Sequence, residues 1–170
     1  DDGYKFELLR NTNIPNVYKM DILDGQGSLN NSCMNGDTDY LDIYKYCKKL
    51  SILTLTNADG LLCGRSLIWN IEPGITLMDR IYVVQDFMYD KFIDYARQNK
   101  YWYKKNYKSY DDKTTFIDAD GNEVKRNFTI VTDCAHSEYP YIDTFQYGDD
   151  CSLNNYGAGF YTYNNTDGTS

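Results

Sequence analysis

Cys33 stands in Asn31-Ser32-Cys33-Met34-Asn35-Gly36, directly before a segment that Asp37 or Thr38 would cap as a short helix reaching Cys47. A thiol beside a helix N-terminus has a lowered pKa and becomes a nucleophile. The chain has one histidine, His136, so a histidine base for Cys33 can only be His136. This pair defines an enzyme reading, a hydrolase or transferase with Cys33 as nucleophile and His136 as its base. The plainer reading is preferred: Cys33 as a small buried hydrophobe at a helix start.

A second cluster lies in two apolar runs. Arg65 interrupts Leu61-Leu62-Cys63-Gly64-Arg65-Ser66-Leu67-Ile68-Trp69, and Asp79-Arg80 interrupts the run from Ile75 to Val84, with Tyr82 two residues on. Charges set in such strands are either paired or turned to a ligand. Strand alternation places Arg65, Leu67 and Trp69 on one face and sends Asp79 and Arg80 to opposite faces. One arginine then pairs with Asp79 while the other meets an external anion. A purely structural ion pair is the equal alternative.

Four weaker signals stand beside these. Between Arg97 and Tyr110, Arg97, Lys100, Lys104, Lys105 and Lys108 interleave with Tyr101, Trp102, Tyr103 and Tyr107. Cations that meet phosphates and rings that stack bases make 97–110 a candidate single-stranded nucleic-acid surface. A solvated basic helix end is the preferred reading, because the chain carries a net charge of −8. Cys134 and His136 are two potential metal ligands where zinc usually takes four, so no metal is expected. Counted from Asp118, loop position six is Glu123 and position twelve is Thr129, where a calcium loop needs Gly and Glu, so the segment reads as a β-turn. The strand-to-helix turn Val83 to Met88 has no glycine, and Asp86 would repel phosphate, so no cofactor is expected there.

These residues need elements to position them. Residues 51–56, 61–71 and 75–83 alternate as strands, joined by Asn57-Ala58-Asp59-Gly60 and Glu72-Pro73-Gly74 turns. Residues 85–99 carry Met88, Phe92 and Ala96 at helical spacing. A second hairpin is expected over 114–117 and 122–131, with further strands over 17–23, 141–147 and 160–163. The fold class expected is α+β: an antiparallel β-sheet with one or two helices packed on one face. Residues 1–170 form a single domain, with 1–13 and 164–170 frayed.

Bulk properties agree with a globular domain. Of 170 residues, 42% are apolar and 18 are tyrosine, a bias that an AT-rich genome explains. The negative charge argues against broad binding to nucleic-acid backbone. Five cysteines, an odd number without CxxC spacing, favour free thiols in a reducing compartment. No apolar run approaches a membrane span, and no signal peptide is visible. The chain starts at Asp1 without Met, which fits a trimmed terminus or a piece of a longer protein.

Four segments together resemble those of an uncharacterised group of bacteriophage-encoded proteins. They are Asn31-Ser32-Cys33-Met34, Arg65-Ser66-Leu67-Ile68-Trp69, Met78-Asp79-Arg80-Ile81-Tyr82 and Tyr139-Pro140-Tyr141-Ile142-Asp143-Thr144-Phe145. The resemblance implies a viral origin, and that the four segments converge in space. It implies no reaction. The site expected from it has Cys33, Arg65 and Asp143 around one concavity, with Asp79 or Arg80 at the edge and Trp69 beside them. The leading function is a phage accessory or virion-associated protein of the host cytoplasm or virion. It would bind an anionic small molecule, a nucleotide or a host or phage protein. Acidic nucleic-acid mimicry is a third reading.

Overall fold

The computed structural model describes residues 3–10, 17, 20–24, 49–108, 112–131, 144–147 and 152–155. Its spine is the meander that alternation and turn chemistry pick out. Strands β2 (Leu50–Thr56), β3 (Leu62–Glu72) and β4 (Ile75–Val83) lie side by side. The β2–β3 turn is held by the Asn57 side chain, whose Oδ1 accepts from the Asp59 and Leu61 N–H groups at 3.0 Å each. Gly60 takes a φ of +80° there, which glycine adopts without a Cβ clash. In β3 every residue from Leu62 to Trp69 is buried. A strand covered on both faces needs a continuous apolar run, and Arg65 and Ser66 are the polar exceptions within it.

Among the described residues, seven strands form one sheet in plain sequence order. β1 (Lys5–Arg10) is one edge, and β5 (Trp102–Lys104), β6 (Thr115–Ile117) and β7 (Glu123–Lys125) follow β4. All neighbours are antiparallel except β4 and β5, which pair in parallel, Leu77 to Trp102. The sheet is therefore mixed and not purely antiparallel. The cause is α1 (Met88–Gln98), a crossover that returns the chain to the end from which β4 started. A second sheet of three strands has the order β8 (Thr129–Val131), β10 (Ser152–Asn154), β9 (Gln146–Tyr147). The class is α+β. No described helix is long and apolar enough to cross a membrane.

Three local expectations change. Lys5–Arg10, read as part of a frayed end, pairs along its length with β2, from Lys5↔Thr56 to Arg10↔Ser51. The strand expected over 17–23 is replaced by a helical Val17 and an isolated parallel bridge from Ile22 to Leu62. Trp102–Lys104, read as a basic helix end, is strand β5. The regions 37–47, 160–163 and 164–170 lie outside the described residues.

The helix buries Met88, Tyr89, Phe92, Ile93 and Ala96. Phe92 lies against the backbone of Gly64, where a Cβ would come within 2.7 Å of its Cε1, and meets Phe6 edge-on at 5.1 Å. The C-terminus closes with two backbone bonds, Tyr101 N–H to Ala96 O at 2.8 Å and Lys100 N–H to Arg97 O at 3.3 Å. This is a Schellman cap, and Tyr101 adds its ring to Tyr95 at 5.9 Å. Lys100 occupies the left-handed position at φ 59°, where glycine is usual. Lys100→Gly is therefore expected to stabilise the chain by about 1 kcal/mol. A urea melt showing a loss of stability would contradict the cap assignment.

Candidate functional site

The β3–β4 register shifts between Ser66↔Ile81 and Ile68↔Met78. One residue, Leu67, thus faces two, Asp79 and Arg80, which is a β-bulge in β4. The bulge overturns the expectation that Asp79 and Arg80 point to opposite faces. Trp69 is opposite Leu77 and Arg65 is opposite Tyr82, so both belong to one face. Asp79 reaches Trp69 and Arg80 reaches Tyr82, so both charged residues of the bulge join that same face.

Asp79 is 1% exposed, and its oxygens are committed. The Trp69 indole N–H donates to Oδ2 at 3.0 Å, and the Arg80 backbone N–H donates to Oδ1 at 2.7 Å. The Thr144 hydroxyl also donates to Oδ1. Behind the carboxylate, the Ser66 hydroxyl donates to the Asp79 carbonyl at 2.8 Å. Phe145, fully buried, packs edge-on against Trp69 at 5.0 Å. Asp79 thus fastens the 144–145 segment to the sheet. It accepts from no guanidinium group, so the expected Asp79–arginine ion pair is replaced by these three neutral donors.

Both arginines turn instead to one ring. The Arg65 guanidinium carbon lies 4.6 Å from the Tyr82 ring centroid and that of Arg80 lies 4.5 Å from it. Such distances are those of cation–π contacts. Arg65 is 4% exposed, and Arg80 is half-buried. Solvent therefore reaches the pair from the Arg80 side. Trp69 and Asp79 are closed off from solvent, so their part is to shape the face beneath the arginines. A third cation, Lys104, lies on the same face by its alternation with Trp102, and it is fully buried.

Three of the four sequence segments therefore meet here: the arginine–tryptophan strand, the aspartate–arginine strand and Thr144-Phe145. Cys33, His136 and Asp143 lie outside the described residues. Thr144 and Phe145 belong to the fourth segment, yet sequence reasoning singled out Asp143 and gave them no part. The available signal was the Asp79-Arg80 doublet itself, because two adjacent charges in an apolar strand are what a bulge accommodates.

The rest of the basic stretch is spread over different partners. Arg97 Nη2 donates to the Tyr103 hydroxyl at 3.4 Å, a contact that raises the guanidinium pKa. Lys105 pairs with Glu123 at 2.7 Å, which raises its pKa too. Trp102 packs on Phe128 at 5.8 Å beneath the Arg126 guanidinium. Tyr101 is partly buried, and that burial pushes its hydroxyl pKa up. At the far end of β3, an open cleft of about 520 Å³ is lined by Lys49, Asn70, Ile71, Glu72, Pro73, Gly74 and Thr76. It does not touch the arginine face.

Among the described residues, no group of three or more His, Cys, Asp or Glu side chains is placed to hold a metal. The Asp118 carboxylate accepts from the Asp120 and Asn122 N–H groups at 2.9 Å each, as a turn and not a calcium loop requires. Cys63 is a free, buried thiol whose pKa is raised by burial, opposed by a backbone hydrogen bond from Asn57. Alkylation of the native chain is expected to leave Cys63 unmodified and to label it only after unfolding. Labelling at the rate of an unfolded thiol, read by peptide mass spectrometry, would contradict this placement.

No family model, curated protein or solved structure matches the chain.

Proposed function

We propose that this chain is a phage accessory or virion-associated protein that acts by binding, with an anionic ligand held at Arg65 and Arg80. The observation that carries this reading is the pair of guanidinium groups on the Tyr82 ring, beside a carboxylate whose oxygens serve other donors. The Asp79 carboxylate accepts from the indole, hydroxyl and amide donors, and none of these bonds comes from a guanidinium group. A guanidinium has five N–H donors and can hold phosphate or carboxylate with two parallel bonds while keeping other contacts. In this reading α1 forms a layer on the Gly64 face, and the opposite face is given over to the arginines. The viral assignment rests on the four-segment resemblance, and the site of action would be host cytoplasm or virion.

The test is a comparison of Arg80→Lys with the parent chain in calorimetric titrations with polyanionic ligands. Lysine keeps the charge and loses the planar fork, so affinity is expected to fall about tenfold. Cys33→Ser is expected to leave binding intact. Unchanged affinity in Arg80→Lys, or loss of binding in Cys33→Ser, would overturn the reading.

A further inference from the structure

We infer that this chain pairs with a second copy of itself through β1, edge to edge and antiparallel, with the two-fold axis at Phe6. The inference is independent of the arginine face. Three features of the edge carry it.

First, β1 has an open side. It ends the seven-stranded sheet and has β2 as its neighbour there. The Thr54 and Thr56 hydroxyls of β2 donate to the Glu7 and Lys5 carbonyls at 3.3 and 3.5 Å, so those carbonyls turn towards β2. The ladder on the other side of β2 agrees. The Asn70 N–H donates to the Lys49 carbonyl at 2.7 Å, and alternation then leaves Ile52 and Thr54 to serve β1. The backbone groups of Phe6, Leu8 and Arg10 therefore point away from the sheet. Among the described residues they meet no hydrogen-bond partner. Such a row of donors and acceptors is a template for another strand.

Second, the charges of the edge are self-complementary in one register. The outward groups lie on even-numbered residues, so a new ladder pairs even with even. With Phe6 opposite Phe6 of the second copy, Lys5 faces Glu7 and Glu7 faces Lys5. The neighbouring registers set Glu7 opposite Glu7 or Lys5 opposite Lys5, and like charges directly opposite repel. The register with Leu8 opposite Leu8 sets Glu7 against Leu9 and gains no such pair. Lys5 and Glu7 are exposed and form no ion pair among the described residues.

Third, the other face of the edge is apolar. Phe6 meets Phe92 and Tyr95 with ring centroids 5.1 and 4.9 Å away, so the even-numbered residues of β1 lie on the α1 face. Phe6 and Leu8 are half-buried there. Phe87, directly before α1, is 48% exposed, and its ring meets Tyr4 at 6.2 Å. The Phe6 register brings Leu8 of the second copy opposite Tyr4, beside Phe87. Pairing thus covers apolar surface on one face and closes Lys5–Glu7 pairs on the other.

The experiment is sedimentation velocity of the full chain from about 2 to 200 µM at low salt, with amide hydrogen exchange at both ends of that range. A reversible monomer–dimer equilibrium is expected within it, as suits a small interface. The Phe6 and Leu8 amides are expected to gain protection as the dimer forms. Glu7→Lys sets lysine opposite Lys5 and is expected to weaken the dimer at least about tenfold. Adding Lys5→Glu to that variant restores opposite charges and is expected to return the affinity to within about threefold of the parent. Both side chains are exposed, and this rescue separates lost charge pairing from lost folding. A monomer throughout the range, or a dimer that Glu7→Lys leaves unchanged, would overturn the inference. So would a dimer whose Phe6 and Leu8 amides stay unprotected, or a double variant that does not recover. Growth beyond a dimer would overturn it in favour of β1 pairing with the opposite edge, β7, of the next copy.

Discussion

Replacing Asp79 with alanine is expected to cost about 3–5 kcal/mol of stability, the largest effect of any single change on the arginine face. The carboxylate is 1% exposed and accepts from the Trp69 indole, the Thr144 hydroxyl and the Arg80 amide. Alanine leaves all three donors without that acceptor in a site closed to solvent. Each orphaned donor costs about 1–3 kcal/mol, reduced where water enters the space left behind. Asp79→Asn keeps the volume but turns one acceptor into a donor, so an intermediate loss is expected. Thr144→Val removes a single bond and is expected to cost about 1–2 kcal/mol. Urea denaturation measures all three. A loss below about 1 kcal/mol for Asp79→Ala would mean that the carboxylate does not fasten the 144–145 segment to the sheet.

Gly64→Ala is expected to destabilise by about 1–3 kcal/mol through overpacking. The new Cβ would lie 2.7 Å from Phe92 Cε1 and 3.0 Å from the Tyr82 carbonyl oxygen. The carbonyl is backbone of the neighbouring strand and cannot rotate away. The Phe92 ring is fully buried and also meets Phe6, so its retreat is blocked. The clash has a built-in control. In a Phe92→Leu background the ring is gone, and Gly64→Ala is expected to cost less by at least about 0.5 kcal/mol in a double-mutant cycle. Additive losses would show that Phe92 and Gly64 are not in contact. Because Tyr82 holds both guanidinium groups, a shift of its strand is also expected to lower anion affinity.

What was legible in the sequence was what depends on near neighbours. The Asn57–Gly60 turn is a side-chain and φ-angle device within four residues, and it set the β2–β3 hairpin. Helix α1 announced itself by Met88, Phe92 and Ala96, although it starts at Met88, because Gln85 to Phe87 form a turn before it. What was not legible depends on distant pairing. Lys104 reads as a solvated cation in a basic stretch, yet it is buried in β5, whose parallel partner β4 comes into reach only through the helical crossover. Lys5–Arg10 is polar enough to pass for a frayed end, and its exposed Lys5 and Glu7 beside half-buried Phe6 and Leu8 are those of an edge strand.

The candidate site divides in the same way. Arg65, Trp69, Asp79 and Arg80 stood out as charges and a large ring in apolar strands, and they do share a face. Strict alternation misplaced Arg80, because a one-residue bulge reverses every facing beyond it. The Asp79 partners were misjudged for a related reason. Charge alone pointed to an arginine, whereas the local geometry delivers an indole, a hydroxyl and a backbone amide.

The most direct test of the central claim is an NMR titration that follows the five arginine Nε–H signals as pyrophosphate is added to the full chain. The expected result is saturable shifts of Arg65 and Arg80, with Arg10, Arg97 and Arg126 unmoved and both responses lost in excess salt. Shifts confined to Arg10, Arg97 or Arg126, or no shift at any arginine, would contradict an anion site at Arg65 and Arg80.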